Sequence, residues 1–318
     1  MAKVDFTEVV LVKVSIHYVG QRLDNFLIRH LKNIPKSRIY NLIRKGEVRI
    51  NKGRSQPDYK LLLDDIIRIP PVRMNKTEKV TKVSDSLREC IMSNILYEDN
   101  SLLIFNKPSG LAVHGGSGVS LGVIEAFRQV RKPDAFLELA HRIDRDTSGG
   151  LIIAKNRIAL SMIGEALQSN QIKKHYVALV KGKWPKGKSQ VNAPLKKNQM
   201  LSGERVVKVD PSGKRSVTNF NIVKKFKNTT LLDILLETGR THQIRVHCQH
   251  SGMPIVGDGK YGDVFFNKMM LEFGIKRMFL HASKLKFKHP EQDFFIDVTA
   301  PLPVDLKNGL KLLNDEKE

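Results

Sequence analysis

The chain has 318 residues, a length that suits one medium domain with a smaller one and is ample to bury a core. Its 54 Lys and Arg residues outnumber its 32 Asp and Glu residues, which gives a formal net charge of +22. A field of that sign attracts phosphate groups, so the composition favours a polyanionic partner. No stretch approaches the ~20 apolar residues that span a bilayer, so the sequence predicts no membrane partner.

The two cysteines, Cys90 and Cys248, lie far apart and outside any CxxC spacing, which predicts neither a disulfide nor zinc. His242, His247 and His250 lie near Cys248 and suggest a metal site. We interpret this segment as a strand, which would send His242 and His247 to opposite faces, so no metal is expected. The first residues do not resemble a signal peptide, and we expect a cytoplasmic protein.

The first seventy residues predict a small α/β module. Residues 9–16 alternate like a strand, residues 21–30 place apolar side chains on one helical face, and a second amphipathic helix follows Pro35. Gly46 is expected to end that helix as its C-terminal cap. Residues 48–50 and 65–69 then predict strands, joined through a turn at residues 51–53.

Three short segments of this module resemble the RNA-binding domain named after small-subunit ribosomal protein S4: residues 20–24 (GQRLD), 36–38 (KSR) and 45–48 (KGEV). In that family a two-helix face docks on folded RNA, since cations on a rigid helix pair can follow a phosphate backbone without reading bases. An ordinary solvated helix face is the alternative. The residues that the resemblance places on the RNA-binding face are Arg22, Lys36, Ser37, Arg38, Arg44 and Lys45.

The remainder of the chain predicts an α+β domain with a large mixed, mostly antiparallel sheet. Helices are expected at residues 121–131 and 157–170. Short β-rich segments are expected to form strands at residues 102–105, 151–154, 175–180, 217–223, 230–237 and 244–247. We therefore predict the S4-like domain at residues 1–75 (core 20–70), a polar linker at 76–92, and the second domain at 93–318.

The densest polar motif is HRIDRDTSGG at residues 141–150, which runs directly into an apolar strand and so presents side chains at a sheet edge. Three further segments accompany it: NKPSGLAVH at 106–114, KHYVA at 174–178 and TGRTHQIRVH at 238–247. Together the four segments resemble the RluA family of pseudouridine synthases over most of residues 95–300. With the N-terminal module included, the chain resembles the branch of that family that acts on large-subunit (23S) ribosomal RNA.

The resemblance implies an isomerase that converts uridine to pseudouridine without metal or organic cofactor. The family's catalytic aspartate matches Asp144, and Asp146 does not fit. By the same matching, Arg142 corresponds to the arginine that helps displace the target nucleotide, Tyr176 to the active-site tyrosine, and Arg245 to the arginine that pairs with the aspartate.

Chemistry alone leaves the role of Asp144 open. The carboxylate can attack the base or the sugar as a nucleophile, or it can stabilise cationic character at the anomeric carbon and then take a proton from the sugar. Either route needs an ionised carboxylate, and Arg245 would favour the charged form and orient it. The Tyr176 hydroxyl is one candidate for removing the proton from carbon five of the base. Arg142 could fill the space left by the displaced uridine or bind a phosphate.

Other interpretations are weaker. Asp144 and Asp146, two residues apart in one loop, give no evidence of the separation that a glycosidase pair needs. A synthase acting on transfer RNA, and a non-catalytic RNA-binding protein of the ribosome, remain the alternatives. We expect a monomer whose partner is ribosomal RNA.

Overall fold

The computed structural model describes residues 8–31, 34–72, 82–115, 121–131, 136–199 and 205–315. The chain divides into two compact units, Met1–Lys82 with Arg131–Phe136, and Val83–Val130 with Leu137–Glu318. Residues 73–81, which include the first part of the predicted linker, lie outside the described residues. Within the described ranges, no helix is both long enough and apolar enough to cross a membrane.

The first unit contains a small antiparallel sheet and two helices. The elements in chain order are β1 (Val10–Lys13), α1 (Leu23–His30), α2 (Lys36–Arg44), β2 (Arg49–Ile50), β3 (Gly53–Arg54) and β4 (Ile66–Ile69). The strands follow the spatial order β1-β4-β2-β3.

The two helices bury one face each against this sheet. Leu23, Phe26 and Leu27 of α1 are fully buried in a core with Ile39 of α2, as the apolar spacing predicts. Gly46 follows α2 with φ +70°, a backbone region that glycine adopts without strain, and its N–H donates to the Ile43 carbonyl. The helix therefore ends where the sequence predicts.

The second unit begins with a helix inside the segment that we predicted as a linker. This helix, α3 (Asp85–Ser93), is capped at its start by Ser84, whose hydroxyl accepts the Leu87 N–H. Ile91 is buried, so the helix packs onto the second unit although most of its sequence is polar. The remaining helices of this unit are α4 (Val123–Val130), α5 (Arg157–Gln168), α6 (Gln243–His250), α7 (Val264–Met269) and α8 (Val304–Asp315).

A large mixed sheet forms the centre of the second unit. Its strands are β5 (Ile95–Glu98), β6 (Leu102–Lys107), β7 (Glu138–Leu139), β8 (Ser148–Ala154), β9 (Lys173–Lys181), β10 (Gln190–Asn192), β13 (Val217–Lys225), β14 (Thr229–Leu236), β15 (Leu280–Lys288) and β16 (Phe295–Thr299). A separate hairpin joins β11 (Leu195–Gln199) and β12 (Arg205–Val209). The predicted mostly antiparallel sheet is confirmed. Five of the six predicted strands are present, four with wider bounds and the fifth, predicted at 230–237, shifted by one residue.

The order of the strands in the sheet is β10-β13-β14-β9-β15-β8-β6-β5, with β16 on β15 and β7 on β8. Among the described strand pairs, β8 and β15 alone run parallel, and this pairing aligns Ser148 with His281 and Gly149 with Ala282. All seven residues of β8 are buried, because the strand lies in the middle of the sheet with both faces covered. The polar loop that precedes β8 is thus attached to one of the most constrained strands of the fold.

The strand predicted at residues 244–247 is wrong, because this segment belongs to helix α6. Every residue from Gln243 to Cys248 is buried, so the helix lacks the one-sided apolar pattern that marks a helix in sequence. The Gln243 side chain anchors its start: Oε1 accepts the Arg240 N–H, and Nε2 donates to the Val217 carbonyl of β13. Residues 244–247, which contain β-branched Ile244 and Val246, were therefore wrongly predicted as a strand, since tertiary contacts decide the conformation of this segment.

The loop before β8 is held against that strand by a histidine. His141 Nε2 accepts the Ile152 N–H at 3.1 Å, which requires an unprotonated Nε2. Burial, and after it the charge of Lys174, lower the pKa of His141 from 6.5 to about 4. The imidazole is therefore neutral at neutral pH and remains an acceptor.

Substitution of Gly149 tests the close approach of β8 and β15. An alanine Cβ at Gly149 would lie 2.2 Å from the Ala282 carbonyl oxygen, and φ is +112°. We expect Gly149→Ala to lower the free energy of unfolding by at least about 2 kcal/mol through strain and steric clash. Urea unfolding followed by Trp184 fluorescence measures this. The control is Gly164→Ala in α5, where a Cβ meets nothing within 4 Å, and which should be neutral or stabilising. Equal stability of the two variants would contradict the close packing.

The lowered pKa of His141 predicts that the second unit loses stability in acid. Because the folded pKa lies below the unfolded value, the unfolded chain binds more proton as pH falls from 6.5 towards 4. Between pH 7 and pH 5 this costs about 2 kcal/mol of unfolding free energy. His141→Gln keeps an acceptor for the Ile152 N–H without titrating, so its stability should fall less over this interval. The measurement is urea unfolding at both pH values. Parallel losses in the two proteins would show that His141 does not carry the effect.

Candidate active site

A cleft of about 980 Å³ opens in the second unit, at the end of the sheet where the loop before β8 meets the start of α6. Residues of the sheet form one wall of the cleft, and charged side chains from these two segments form the rest. The lining includes Arg142, Asp144, Lys174, Tyr176, His242 and Arg245. The structure therefore brings together all four residues that the sequence predicts for the chemistry, from three separate stretches of the chain.

Asp144 and Arg245 form a direct ion pair. Arg245 Nη1 donates to Asp144 Oδ2 at 3.0 Å, and the other Asp144 oxygen, Oδ1, lies 3.8 Å from His242 Nε2. Asp144 keeps 24% of its side chain exposed towards the cleft, whereas the Arg245 side chain is 7% exposed. Arg245 thus holds the carboxylate on its buried side, and its other side is open to the cleft, which suits a group that must reach a substrate.

A second carboxylate holds the arginine from the other side. Arg245 donates through Nε and Nη2 to the two oxygens of Asp258, at 2.7 and 2.8 Å, as a bidentate fork. Burial alone would lower the pKa of Arg245, but the bonds and charges of Asp258 and Asp144 outweigh it and raise that pKa. The fork has three separate acceptors for three N–H directions, a geometry that a lysine ammonium cannot reproduce.

Asp258 is itself fixed by backbone donors. Its Oδ1 accepts the N–H groups of Lys260 and Tyr261 at 2.8 and 3.0 Å. Burial would raise the pKa of Asp258, yet Arg245 and these N–H groups lower it overall, so the carboxylate stays charged. Motif matching did not mark Asp258, although its place between Gly257 and Gly259 indicates a tight turn that a functional loop can use.

Lys107 connects the loop after β6 to the loop that carries Asp144. Its side chain is fully buried, and Nζ donates to the carbonyls of Pro108, Leu111 and Arg145 at 2.8 Å each. Burial lowers the pKa of Lys107 to about 7, while three carbonyl acceptors favour the ammonium form, which alone has three N–H donors. The sequence motif contained Lys107, but only the structure gives it this positioning role.

Tyr176 lies in β9 between its partners Ile234 and Ala282, and 7% of the residue is exposed. Burial, and after it the charge of Asp144, raise the pKa of Tyr176. The side chain is therefore a neutral phenol whose ring lines the cleft. Both effects disfavour the phenolate, which is the form that accepts protons readily.

Two further cations face the cleft in contrasting surroundings. Arg142 is exposed, two residues from Asp144, so its long side chain can extend into the cleft. Lys174 is 7% exposed, and burial lowers its pKa. The first is suited to a mobile contact with substrate, and the second to a fixed one.

Both ring nitrogens of His247, next to Cys248, lie within hydrogen-bond distance of protein groups. His247 is fully buried, with the Thr218 hydroxyl at 2.9 Å from Nδ1 and the Ala193 carbonyl at 3.0 Å from Nε2. The strand argument that we used against zinc was wrong, because the segment is helical. In the part of the chain that the structure describes, no group of three or more His, Cys, Asp or Glu side chains could hold a metal ion.

The first unit carries the predicted RNA-binding residues at exposed positions of helix α2 and next to it. Lys36, Ser37, Arg38, Arg44 and Lys45 of α2 and its C-terminal end are all exposed. Arg22 is also exposed, and its guanidinium donates to both oxygens of the buried Asp24 at 3.2 and 2.7 Å. The Tyr40 hydroxyl donates to the same carboxylate at 3.1 Å. Asp24, which the sequence prediction did not single out, thus orients Arg22.

Comparisons with known proteins agree with both units. A family described as RNA pseudouridylate synthase matches residues 101–250, and the S4 domain matches residues 21–67. The chain is 48% identical over 313 residues to ribosomal large subunit pseudouridine synthase C of Pasteurella multocida, covering 96% of this chain and 94% of that protein. The protein of the same name from Haemophilus ducreyi is 50% identical over 310 residues, covering 96% and 95%.

A solved structure shares the fold. Human RNA pseudouridylate synthase domain containing 4 superposes with a TM-score of 0.60 at 24% identity, covering 72% of this chain and 96% of the human one. That likeness supports the fold, while the sequence relatives carry the family. The chain therefore belongs to the RNA pseudouridylate synthase family of the RluA type and has an S4 domain at its N-terminus.

Proposed function

We propose that this protein converts uridines of large-subunit ribosomal RNA to pseudouridine, with Asp144 as its essential carboxylate. The observation that carries the proposal is the Asp144–Arg245–Asp258 array, in which one carboxylate faces the cleft and the other is buried. The names of the relatives supply the ribosomal substrate. We further propose that the enzyme acts as a monomer, since one chain contributes every residue of the array. We also propose that it acts in the cytoplasm, on the ribosomal substrate that the names of its relatives indicate.

The reaction breaks the bond between the base nitrogen and the ribose, turns the uracil over, and forms a carbon–carbon bond to the same ribose carbon. The base loses a proton from carbon five and gains one at nitrogen, so no redox partner is needed. Asp144 can act as a nucleophile, or it can stabilise the cationic sugar and then remove a sugar proton. Both routes use an oriented carboxylate, which Arg245 supports by holding Oδ2.

Tyr176 contributes its ring rather than its hydroxyl in this proposal. A phenol whose pKa is raised by burial and by Asp144 is a poor general base at neutral pH. Its ring lines the same cleft as Asp144 and can pack against the uracil while the base turns over. Proton removal from carbon five then falls to another group or to water.

Arg142 would replace the target uridine in the RNA. A uridine in a stem leaves its stack at a cost of a few kcal/mol, and a long cation can occupy the vacated space and contact phosphate. The exposure of Arg142 and its position two residues from Asp144 support this role. Affinity for the rest of the RNA would come from the exposed cations of the S4 domain.

Replacing Asp144 with Asn tests the proposed chemistry. The amide keeps the shape but removes the charge, so Asp144→Asn should lower the single-turnover rate by at least about 10³-fold while RNA affinity changes little. The assay is tritium release from 23S ribosomal RNA labelled at carbon five of uracil, with filter binding for affinity. Asp146→Asn is the matched control, because Asp146 lies in the same loop, is 47% exposed and pairs with Arg145. It should retain the wild-type rate within a few-fold.

The assignment of Asp144 fails if Asp144→Asn turns over at a tenth of the wild-type rate, or if Asp146→Asn is the more damaging change. Tritium release from transfer RNA but not from ribosomal RNA would support the proposed reaction and contradict the proposed substrate.

Removing cations from the S4 domain tests the division between binding and chemistry. The triple variant Arg38→Ala, Arg44→Ala, Lys45→Ala should bind RNA more weakly, and the slope of log affinity against log salt should fall by about 0.7–0.9 for each lost phosphate contact. At saturating RNA its rate should equal that of the wild type, because uniform binding does not change the chemical step. Exposed α2 positions tolerate alanine, so the fold is preserved.

The control removes three exposed cations from the second unit, through Lys268→Ala, Lys276→Ala and Lys311→Ala. The net charge falls equally in both variants, so a larger loss of affinity in the first isolates the S4 face. Equal losses, or a saturated rate that collapses in the first variant while it remains folded, would place the division of labour elsewhere.

A further inference from the structure

We propose that His242 is a positioning residue for Asp144. The Tyr261 hydroxyl fixes the tautomer of His242 so that its Nε2–H points at Oδ1, the carboxylate oxygen that Arg245 does not hold. The inference rests on the proposed role of Asp144. It adds His242 to Arg245 as a second hydrogen-bond donor to the Asp144 carboxylate.

His242 has an unusual backbone conformation at the start of α6. Its φ is 54° and its ψ is 20°, in the left-handed region that side-chain-bearing residues seldom occupy. The residue caps the helix without a side-chain hydrogen bond to it. The side chain is therefore released from capping and directed into the cleft, where it is 19% exposed. Such strain is retained where the surrounding structure or the function requires it.

Tyr261 determines which nitrogen of His242 carries the proton. The Tyr261 oxygen accepts the Val207 N–H at 3.0 Å and lies 2.8 Å from His242 Nδ1. Tyr261 is 3% exposed, and a buried phenol without an acceptor would be costly, so its O–H donates to an unprotonated Nδ1. A neutral His242 then carries its proton on Nε2. Burial raises the pKa of Tyr261, which keeps the phenol protonated.

The two oxygens of Asp144 then face two different donors. Arg245 Nη1 holds Oδ2 at 3.0 Å, and His242 Nε2 lies 3.8 Å from Oδ1. The second distance is longer than a hydrogen bond, as catalytic contacts often are before substrate closes the site. Tyr261 touches both donors, since its ring lies 5.0 Å from the Arg245 guanidinium and meets the His242 ring edge-on at 5.5 Å. One buried ring thus aligns both groups that orient the carboxylate.

Burial favours the neutral form of His242, and the charges around it act in both directions. Burial lowers the pKa of His242, Asp144 and Asp258 oppose this effect, and Arg245 and Lys260 add to it. Neutral imidazole therefore supplies one N–H donor and one acceptor at neutral pH. A donor on Nε2 supports the ionised carboxylate, whereas a lone pair there would repel it. The tautomer of His242 that Tyr261 fixes therefore determines whether Nε2 attracts or repels the Asp144 carboxylate.

The tautomer can be observed directly in the full-length wild-type protein. Labelling with ¹⁵N-histidine and long-range ¹H–¹⁵N correlation distinguishes a protonated nitrogen from an unprotonated one. The His242 signals are those lost in His242→Gln. We expect an unprotonated Nδ1 and a protonated Nε2 at pH 8. A protonated Nδ1 with an unprotonated Nε2 would overturn the proposal whatever the variants do.

Substitutions measure the effect on the reaction. Single-turnover tritium release from 23S ribosomal RNA labelled at uracil carbon five should slow about ten- to a hundredfold in His242→Phe, the range for losing one hydrogen bond to a charged group. RNA affinity should not change. His242→Gln can place an amide N–H near the position of Nε2 and should recover most of the rate. His250→Phe, on the exposed end of the same helix, should match the wild type.

Tyr261→Phe separates the tautomer from simple packing. Without the phenol, neutral His242 can carry its proton on Nδ1 and present a lone pair to Asp144. Its saturated rate should fall at pH 8 and partly recover towards pH 6 relative to the wild type, because protonated imidazole carries N–H on both nitrogens. His242→Phe should show no such recovery.

The inference fails if folded His242→Phe reacts at the wild-type saturated rate, or if Tyr261→Phe and His242→Phe have the same pH dependence. Thermal melting and RNA affinity identify a variant that has lost its fold. If Asp144→Asn is inactive while His242→Phe is fully active, the positioning role fails and the proposed function stands. If Asp144→Asn is active, the proposed function fails first.

Discussion

The active cleft depends on one buried cation that must satisfy two carboxylates. Arg245 is 7% exposed, and an unpaired guanidinium there would carry a desolvation penalty of several kcal/mol. Asp258 takes two of its N–H directions and is anchored by backbone donors, so the third direction is left for Asp144. Asp144 therefore has a defined orientation before any substrate binds. Because Asp258 needs a tight turn and Arg245 a buried helix, the start of α6 and the turn at residues 257–259 must meet.

The sheet gives this array its rigidity. Asp144 lies just before β8, the fully buried central strand that pairs with β15 at Gly149. The same loop is tied to the loop after β6 through Lys107, whose three N–H donors bind three carbonyls, and to β8 through His141. The carboxylate that we propose as catalytic is thus carried by a loop that several hydrogen bonds hold in place. Arg142 in the same loop is exposed, which suits a group that moves with the RNA.

The two units use different kinds of electrostatic interaction in the proposed function. The S4 domain offers exposed cations on a rigid helix, a long-range and salt-sensitive attraction that does not depend on base identity. At the cleft of the second unit, Arg245 is instead buried and paired with Asp144 and Asp258, which suits chemistry on a single base because that needs fixed short-range contacts. Even in the S4 domain one cation is oriented in this way, since the buried Asp24 fixes Arg22. Under the proposed function, RNA affinity and the positioning of the catalytic groups can therefore change separately.

The sequence by itself determined the class of protein, both modules and the residues that meet in the cleft, because a shared local motif preserves residue types that chemistry requires. It identified Asp144, Tyr176 and Arg245 in segments about 30 and 70 residues apart. It misread the α6 segment as a strand, since a helix buried on all sides has no one-sided pattern. Only the tertiary structure revealed Asp258 as the second partner of Arg245, the three carbonyls around Lys107 and the contact of Tyr261 with His242. Burial and the pairing of distant groups are set by how the chain folds back on itself, and a linear pattern does not contain them.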